Sequence, residues 1–346
     1  MRILVVGTGA IGGVVAGSLT GLGLDVSVLT TNQAIAESLR ERGFRFTAET
    51  SMAAVPAGPV HTALGPEVAP FDVILLATQP PQVERAAEEA ASHLAPGGAM
   101  VCFQNGLCEE RVARIVGPAS VIGAVVAWGA SMPEPGLYDR TSDGGFTLGR
   151  LDADPDALVT RIGHALEAIG PVTFTRNLTG VRWSKLAINA AISTLGTIGG
   201  DRLGALMRYR HVRRLALEVM TEAVRVATRL QVTLEKVSGT LDLEWLALTD
   251  SEAAMSGSPS LVAKHGLLLA VGTRYRRLRS SMLSAIERGR PPAVDFLNGE
   301  IVQRGQRVGV PTPVNQAAQA MVWAIARGET PATHGALRAL YDRTRP

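Results

Sequence analysis

The sequence predicts an α/β N-terminal domain built on a parallel sheet, followed by an all-α domain. Near-continuous Val/Ile/Leu/Ala runs alternate with helical patterns through the first half, as strands buried on both faces require. A glycine-rich turn separates the first such run from the first helix. Beyond about Asn177 apolar residues recur at helical spacing and strand signals vanish. The 346 residues exceed one ordinary core. The domain boundary is expected at Thr175 to Asn177, giving domains 1–175 and 176–346.

In chain order, Ile3 to Val6 is the first strand, and a helix follows through Leu22. Val26 to Leu29 is the second strand and Val73 to Ala77 the third, leading into a helix from about Pro81 to Leu94. Ala99 to Phe103 and Val121 to Ala127 are further strands. Gly, Asp, Ser and Thr punctuate Gly136 to Gly149, which reads as hairpin-like edge strands. A Ser/Gly/Ala/Pro-rich loop interrupts the helices between Thr249 and Ser260.

Composition narrows the function. The net charge is +3, from 34 Lys and Arg against 31 Asp and Glu, with no long basic run, which argues against nucleic acid. A mild basic excess suits an anionic small molecule as well as a plain solvated surface. Cys102 and Cys108 make neither a disulfide framework nor a zinc site, so no metal is expected. With no visible signal peptide and no apolar run of membrane length, a cytoplasmic protein without membrane association is expected.

Gly7-Thr8-Gly9-Ala10-Ile11-Gly12 follows a strand and opens a helix, the context that a dinucleotide fingerprint demands. The first glycine permits the tight turn, the second admits the pyrophosphate, and the third lets helix and strand pack closely. The helix N-terminus offers free N–H groups to the phosphates. After the second strand, Thr30-Thr31-Asn32-Gln33 holds no carboxylate to take a ribose 2′-hydroxyl and no Arg to attract a 2′-phosphate. Hydroxyl and amide donors there favour NADP, with Thr31 as the reader.

In the second domain Lys185, Asn189 and Ser193 stand at i, i+4 and i+8 on one helix face, among Leu186, Ala187, Ile188, Ala190, Ala191 and Ile192. A Lys in apolar company is rarely buried without purpose. Composition alone leaves an alternative open, a snorkelling Lys and a core Asn that satisfies a carbonyl. His211 and His265 read as structural, and Arg274, Arg276, Arg277 and Arg279 as a solvated face able to draw in an anion.

These segments, together with Phe103-Gln104-Asn105-Gly106-Leu107, Ser280-Ser281-Met282, Val294-Asp295-Phe296-Leu297-Asn298-Gly299 and Gly309-Val310-Pro311-Thr312-Pro313, resemble the ketopantoate reductase (2-dehydropantoate 2-reductase) family. The resemblance implies a Rossmann-like domain followed by an all-α domain of the 6-phosphogluconate dehydrogenase-like type. It implies NADPH-dependent reduction of the 2-keto group of ketopantoate to pantoate, in pantothenate biosynthesis. Lys185 is then the general acid. Asn189, Ser193, Ser281 and Asn105 serve the substrate, with Asn105 also beside the nicotinamide. Gly7, Thr8, Gly9, Ala10, Ile11, Gly12, Thr31 and Gln82 serve the cofactor.

The chain departs from the family pattern at Ala293, where a Glu is usual, at Ser193, where an Asn is usual, and at Gln79, where a Lys is common. Ser284-Ala285 replaces a pair that often ends in Asp, and residues 231–279 form a longer stretch than usual. These changes fall on substrate-fitting residues. They keep open a reductase of another 2-oxo acid or an imine. A dinucleotide-binding regulator without turnover is the remaining alternative, and assembly as a homodimer stays open.

Overall fold

The computed structural model describes residues 1–47, 54–236, 241–254 and 257–345. The chain divides into two compact units, Met1–Leu178 and Thr179–Pro346.

The first unit is α/β. Its strands are β1 (Arg2–Val6), β2 (Asp25–Leu29), β3 (Arg45–Phe46), β4 (Val60–His61), β5 (Phe71–Leu76), β6 (Leu94–Cys102), β7 (Val121–Val126), β8 (Ala130–Glu134), β9 (Leu137–Arg140), β10 (Phe146–Arg150) and β11 (Val172–Phe174). Its helices are α1 (Ala10–Gly21), α2 (Gln33–Arg42), α3 (Val83–Ala91), α4 (Cys108–Val116) and α5 (Ala157–Leu166). The main sheet runs β11-β10-β7-β6-β5-β1-β2-β4. β1 lies inside it, parallel to β2 with Ile3 opposite Val26 and parallel to β5 with Ile3 opposite Val73. Ile3 to Val6 are buried, as a strand covered on both faces demands.

Partner choice departs from the local reading at Gly136 to Gly149. β9 joins a small second sheet with β8 and β3. β10 is no edge strand: it runs antiparallel to β7 and parallel to β11 inside the main sheet. Turn residues mark where strands start and stop, whereas long-range pairing decides which sheet they enter. The helix expected from Pro81 to Leu94 is shorter. A 3₁₀ turn covers Pro80–Gln82, α3 ends at Ala91, and Leu94 already opens β6.

The second unit is helical: α6 (Leu178–Gly199, its first residue closing the first unit), α7 (Leu203–Leu206), α8 (Arg210–Arg229), α9 (Leu243–Leu246), α10 (Asp250–Ala254), α11 (Pro259–Arg274), α12 (Ser281–Glu287), α13 (Asn298–Val308), α14 (Pro313–Ala326) and α15 (His334–Thr344). Gly309 closes α13 in the left-handed conformation, and Pro313 opens α14 at a position where no N–H is needed. Glu222 of α8 caps α14, its carboxylate accepting from the backbone N–H groups of Val314 at 2.8 Å and Asn315 at 2.9 Å. Burial pushes the Glu222 carboxyl upward, against the bonds from Asn315 and Val314 that hold it down.

The long stretch 231–279 lies within the described residues except at 237–240 and 255–256. The loop expected between Thr249 and Ser260 is replaced in part by helix, because α10 occupies Asp250–Ala254 and α11 opens at Pro259. The reason is a buried ion pair. Lys264 Nζ lies 2.5 Å from Glu252 Oε2 and 2.8 Å from the Ala247 carbonyl. Arg214 of α8 donates to the Glu252 and Ala253 carbonyls, and Leu248 N–H donates to the Thr221 hydroxyl at 2.8 Å. The segment is thereby pinned to α8. Burial works upward on the Glu252 carboxyl, but hydrogen bonds from Lys264 and the Thr249 N–H prevail and hold it at about 2.

A carboxyl lowered on folding contributes stability above its unfolded value of 4.5 and loses it as pH falls through about 2. Urea unfolding is expected to show that acid loss in the wild type and not in Glu252→Ala. At neutral pH the variant should be less stable by about 3–5 kcal/mol, since it leaves an ammonium buried without its carboxylate.

Candidate functional site

The carboxyl edge of the main sheet is where the chain emerging from β1, β2, β5 and β6 converges. Strand order places β2 and β5 on opposite sides of β1, the crevice position at which open α/β sheets bind ligands. The Gly7 N–H donates to the Leu29 carbonyl at 2.9 Å, and the Ala77 N–H to the Val6 carbonyl at 2.8 Å, so the three loops are tied together.

The glycines divide their roles as the fingerprint requires. Gly7 has φ +91°, a left-handed conformation that suits glycine. At Gly12 a Cβ would stand 1.9 Å from the Gly7 carbonyl oxygen, so only glycine lets α1 close on the end of β1. At Gly9 no described atom lies within 4 Å of a built Cβ. That open space adjoins an α1 N-terminus with no side-chain cap and no acid in its first turn. Unsatisfied N–H groups facing open space fit a pyrophosphate.

Tyr138 of β9 supports this loop, and the sequence carries no signal for it beyond an aromatic in a strand. Its hydroxyl donates to the Thr8 carbonyl at 3.1 Å, and a Cβ on Gly13 would meet its ring at 1.9 Å. Burial pushes the Tyr138 phenol far up, beyond the opposing effect of Arg45, so it stays a neutral donor.

At the end of β2 two of the expected polar groups are already engaged. Thr30 is buried, and its hydroxyl accepts from the Asn32 N–H at 3.4 Å. Asn32 caps α2, its side chain accepting from the Ile35 N–H at 3.2 Å. Thr31 is exposed, as are Gln79 and Gln82 after β5. In the loop after β6, Gln104 Nε2 donates to the Leu76 carbonyl at 3.0 Å, which holds the loop against the end of β5. Gly106 turns at φ +95°, and the Cys108 thiol points at the Asn105 carbonyl 3.6 Å away. Asn105 is left exposed at the edge. Cys102 and Cys108 are both buried, and neither is in a disulfide.

In the second unit α6 carries Lys185, Asn189 and Ser193 on one half-buried face, while Trp183, Ser184, Leu186, Ala187, Ala190 and Ala191 are buried. Polar bonds on its buried side fix its rotation. Ser184 Oγ accepts from the Glu235 N–H at 3.0 Å, and Thr194 Oγ1 donates to Asn298 Oδ1 at 2.5 Å. Asn298 Nδ2 in turn donates to the Ala190 carbonyl at 3.3 Å and to Asn315 Oδ1 at 2.9 Å. Ser280 Oγ reaches the Ser193 carbonyl at 2.8 Å and caps α12, which brings exposed Ser281 to the Ser193 turn. Asn189 Nδ2 is buried and has no hydrogen-bond partner among the described residues. An amide desolvated without a partner is costly unless something meets it. The anchors Asn298, Asn315 and Glu222 carry no periodicity by which sequence reasoning finds them.

Lys185 and Asn105 belong to different units. Arg274, Arg276, Arg277 and Arg279 are exposed, and Arg279 pairs with Glu287. Among the described residues no cluster of His, Cys, Asp and Glu has metal-holding form, and no helix is long and apolar enough to cross a membrane.

Residues 3–153 match the family described as Ketopantoate reductase PanE/ApbA, and residues 177–326 match its C-terminal domain. The chain belongs to the ketopantoate reductase family and is an oxidoreductase. A 2-dehydropantoate 2-reductase of Pyrococcus horikoshii is 24% identical over 331 residues, covering 95% of this chain and 97% of that one. A PanE/ApbA family ketopantoate reductase from Ralstonia eutropha JMP134 superposes with a TM-score of 0.78 at 23% identity, over 95% of this chain and 99% of that one. D-mandelate dehydrogenase with NADH and anilino(oxo)acetate reaches 0.78 at 18% identity, over 95% and 99%. At these identities the structural likeness speaks to the fold.

The two glycines predict separable defects. Gly9→Val should fold normally, because its side chain enters open space, yet lose dinucleotide binding by calorimetry. Gly12→Ala should lower stability by about 2 kcal/mol or more, because its Cβ meets backbone rather than a movable side chain. Wild-type cofactor affinity in folded Gly9→Val would remove the pyrophosphate from this turn.

Proposed function

We propose that this reductase uses NADPH to reduce the 2-keto group of ketopantoate, with Lys185 as the proton donor. The observation that carries the reading is the half-buried face of α6, where Lys185 and Asn189 stand one turn apart and the Asn189 amide nitrogen lacks a partner among the described residues. When bound, the dinucleotide supplies the hydride. As charge develops on the carbonyl oxygen, the Lys185 ammonium stabilises it and delivers the proton. Asn189 donates its spare N–H to that oxygen or to a neighbouring hydroxyl. Ser281, beside the Ser193 turn, serves the substrate carboxylate, and Ser193 lines the same face. Asn105 orients the nicotinamide end from the sheet edge. Gly7 to Gly12 hold the pyrophosphate, and Gln82 serves the rest of the cofactor. The domain boundary near 175 separates these duties.

Thr31 is the exposed hydroxyl left at the β2 end, with no carboxylate there to repel a 2′-phosphate. A second reading is NADH, favoured by the lack of a cationic side chain at Thr31 and Gln79 and by the NADH in the D-mandelate dehydrogenase neighbour. Substrate identity is open to the same kind of test. Ala293 and Ser193 replace side chains that the family resemblance assigns to substrate fitting, so another 2-oxo acid is the competing substrate.

Steady-state rates with ketopantoate and with other 2-oxo acids, each with NADPH and NADH, test the reading. NADPH and ketopantoate are expected to give the highest kcat/KM, and Thr31→Asp to reverse the cofactor preference. Single-turnover hydride transfer should fall about a hundredfold or more in Lys185→Ala. Cofactor affinity should be unchanged, and Lys185→Arg should restore only part of the rate. A wild-type rate in Lys185→Ala would make Lys185 structural.

A further inference from the structure

The first turn of α8 is electrostatically anomalous. Tyr209, its N-cap, makes no side-chain cap, and the turn holds no acid. Arg210, His211, Arg213 and Arg214 follow directly. Unsatisfied N–H groups already make a helix N-terminus partially positive, so cations there repel it and anions are favoured. Arg214 is neutralised by Glu218, 2.7 Å away. Arg213 directs its guanidinium to the Met207 and Arg208 carbonyls, which carry no full charge, and its Nε is buried without a partner among the described residues.

Across from this turn stands His265 of α11. It keeps only 9% exposure, and its Nδ1 has no hydrogen-bond partner among the described residues. Arg210, Arg213 and His265 line a cavity of about 320 Å³ completed by Gly257, Leu261 and Val262, with no carboxylate in its wall among the described residues. Burial, then Arg213, Arg210 and Arg214, push His265 down to about 4. Lys264, next in the chain, is turned to Glu252. None of Lys185, Asn189, Ser193 or Ser281 lines this cavity.

We propose that Arg210, Arg213 and His265 form a second anion site, at the N-terminus of α8, for the phosphate group of a small phosphorylated molecule. Two guanidinium groups and a helix N-terminus offer several donors to the several oxygens of one phosphate, and planar guanidinium suits those oxygens. A protonated His265 adds a further donor through Nδ1. The cavity exceeds one phosphate, and Leu261 and Val262 supply an apolar wall for a short organic body.

The test uses the full chain with inorganic phosphate as probe. The His265 imidazole is followed by NMR, its signal assigned by its loss in His265→Asn. Phosphate is expected to raise the His265 midpoint from about 4 in a saturable way. Nitrate and chloride at matched ionic strength should not. Arg210→Gln exchanges an exposed guanidinium for an uncharged amide, and Val262→Glu plants a carboxylate on a side chain that is 68% exposed, with thermal unfolding as the check that both variants fold. Each should weaken phosphate at least about tenfold, the scale of losing or opposing one charge-assisted contact. No shift with phosphate, an equal shift with chloride, or an affinity indifferent to both variants would overturn the site. An equal response to nitrate would overturn the preference for phosphate.

Discussion

The closeness of α1 to the end of β1 governs the first unit. Gly12 lies against the Gly7 carbonyl at a separation no side chain tolerates. Because the helix starts there, its first N–H groups open onto the sheet edge rather than into the fold. Everything else at that edge is arranged around this start. Gly7 bonds the end of β2, Gln104 bonds the end of β5, and Tyr138 presses on α1 from the second sheet. The cradle is made of backbone, and the side chains around it work mainly as braces.

The second unit solves a different problem. Lys185 and Asn189 must point one way from a helix whose other sides are largely buried. Hydrophobic contacts are non-directional and tolerate rotation of a smooth helix. Hydrogen bonds do not. The contacts of Ser184, Thr194 and the Ala190 and Ser193 carbonyls fix α6 about its own axis, and Asn298 stands at their centre with Asn315 and Glu222 behind it. A satisfied buried network of this kind rigidifies and specifies a core. The half-buried face with its unpartnered amide follows from that fixation.

Charge is distributed unevenly along α8. Further along, Glu218 answers Arg214, Asp250 answers Arg225, and Glu222 offers its carboxylate to the start of α14. The first turn has cations where the helix dipole favours anions, beside a buried imidazole held neutral. The same physics that places Glu222 at one helix start leaves the other in want of an anion.

Residues close in sequence made much of this legible from the chain alone. A strand, Gly-x-Gly-x-x-Gly and a helix are contiguous, so the turn chemistry that cradles a pyrophosphate is readable from the letters. Helical spacing likewise put Lys185, Asn189 and Ser193 on one face. Strands such as β3, β4 and β11 are two or three residues long and show no period, so pairing over long separations alone reveals them. β10 read as an edge and lies within the sheet for the same reason. Thr30 and Asn32 carry suitable donors for a ribose 2′-phosphate, but local bonds in the folded chain engage both. His265 looked like a core histidine, and only packing α11 against α8 gathers it with Arg210 and Arg213. The sequence by itself determined the α/β-then-α order, the glycine turn and the polar stripe of α6, because these depend on local dihedrals and helical period. Tertiary structure alone decided which polar atoms are spent on holding the fold and which are left over for a ligand, because that depends on partners distant in the chain.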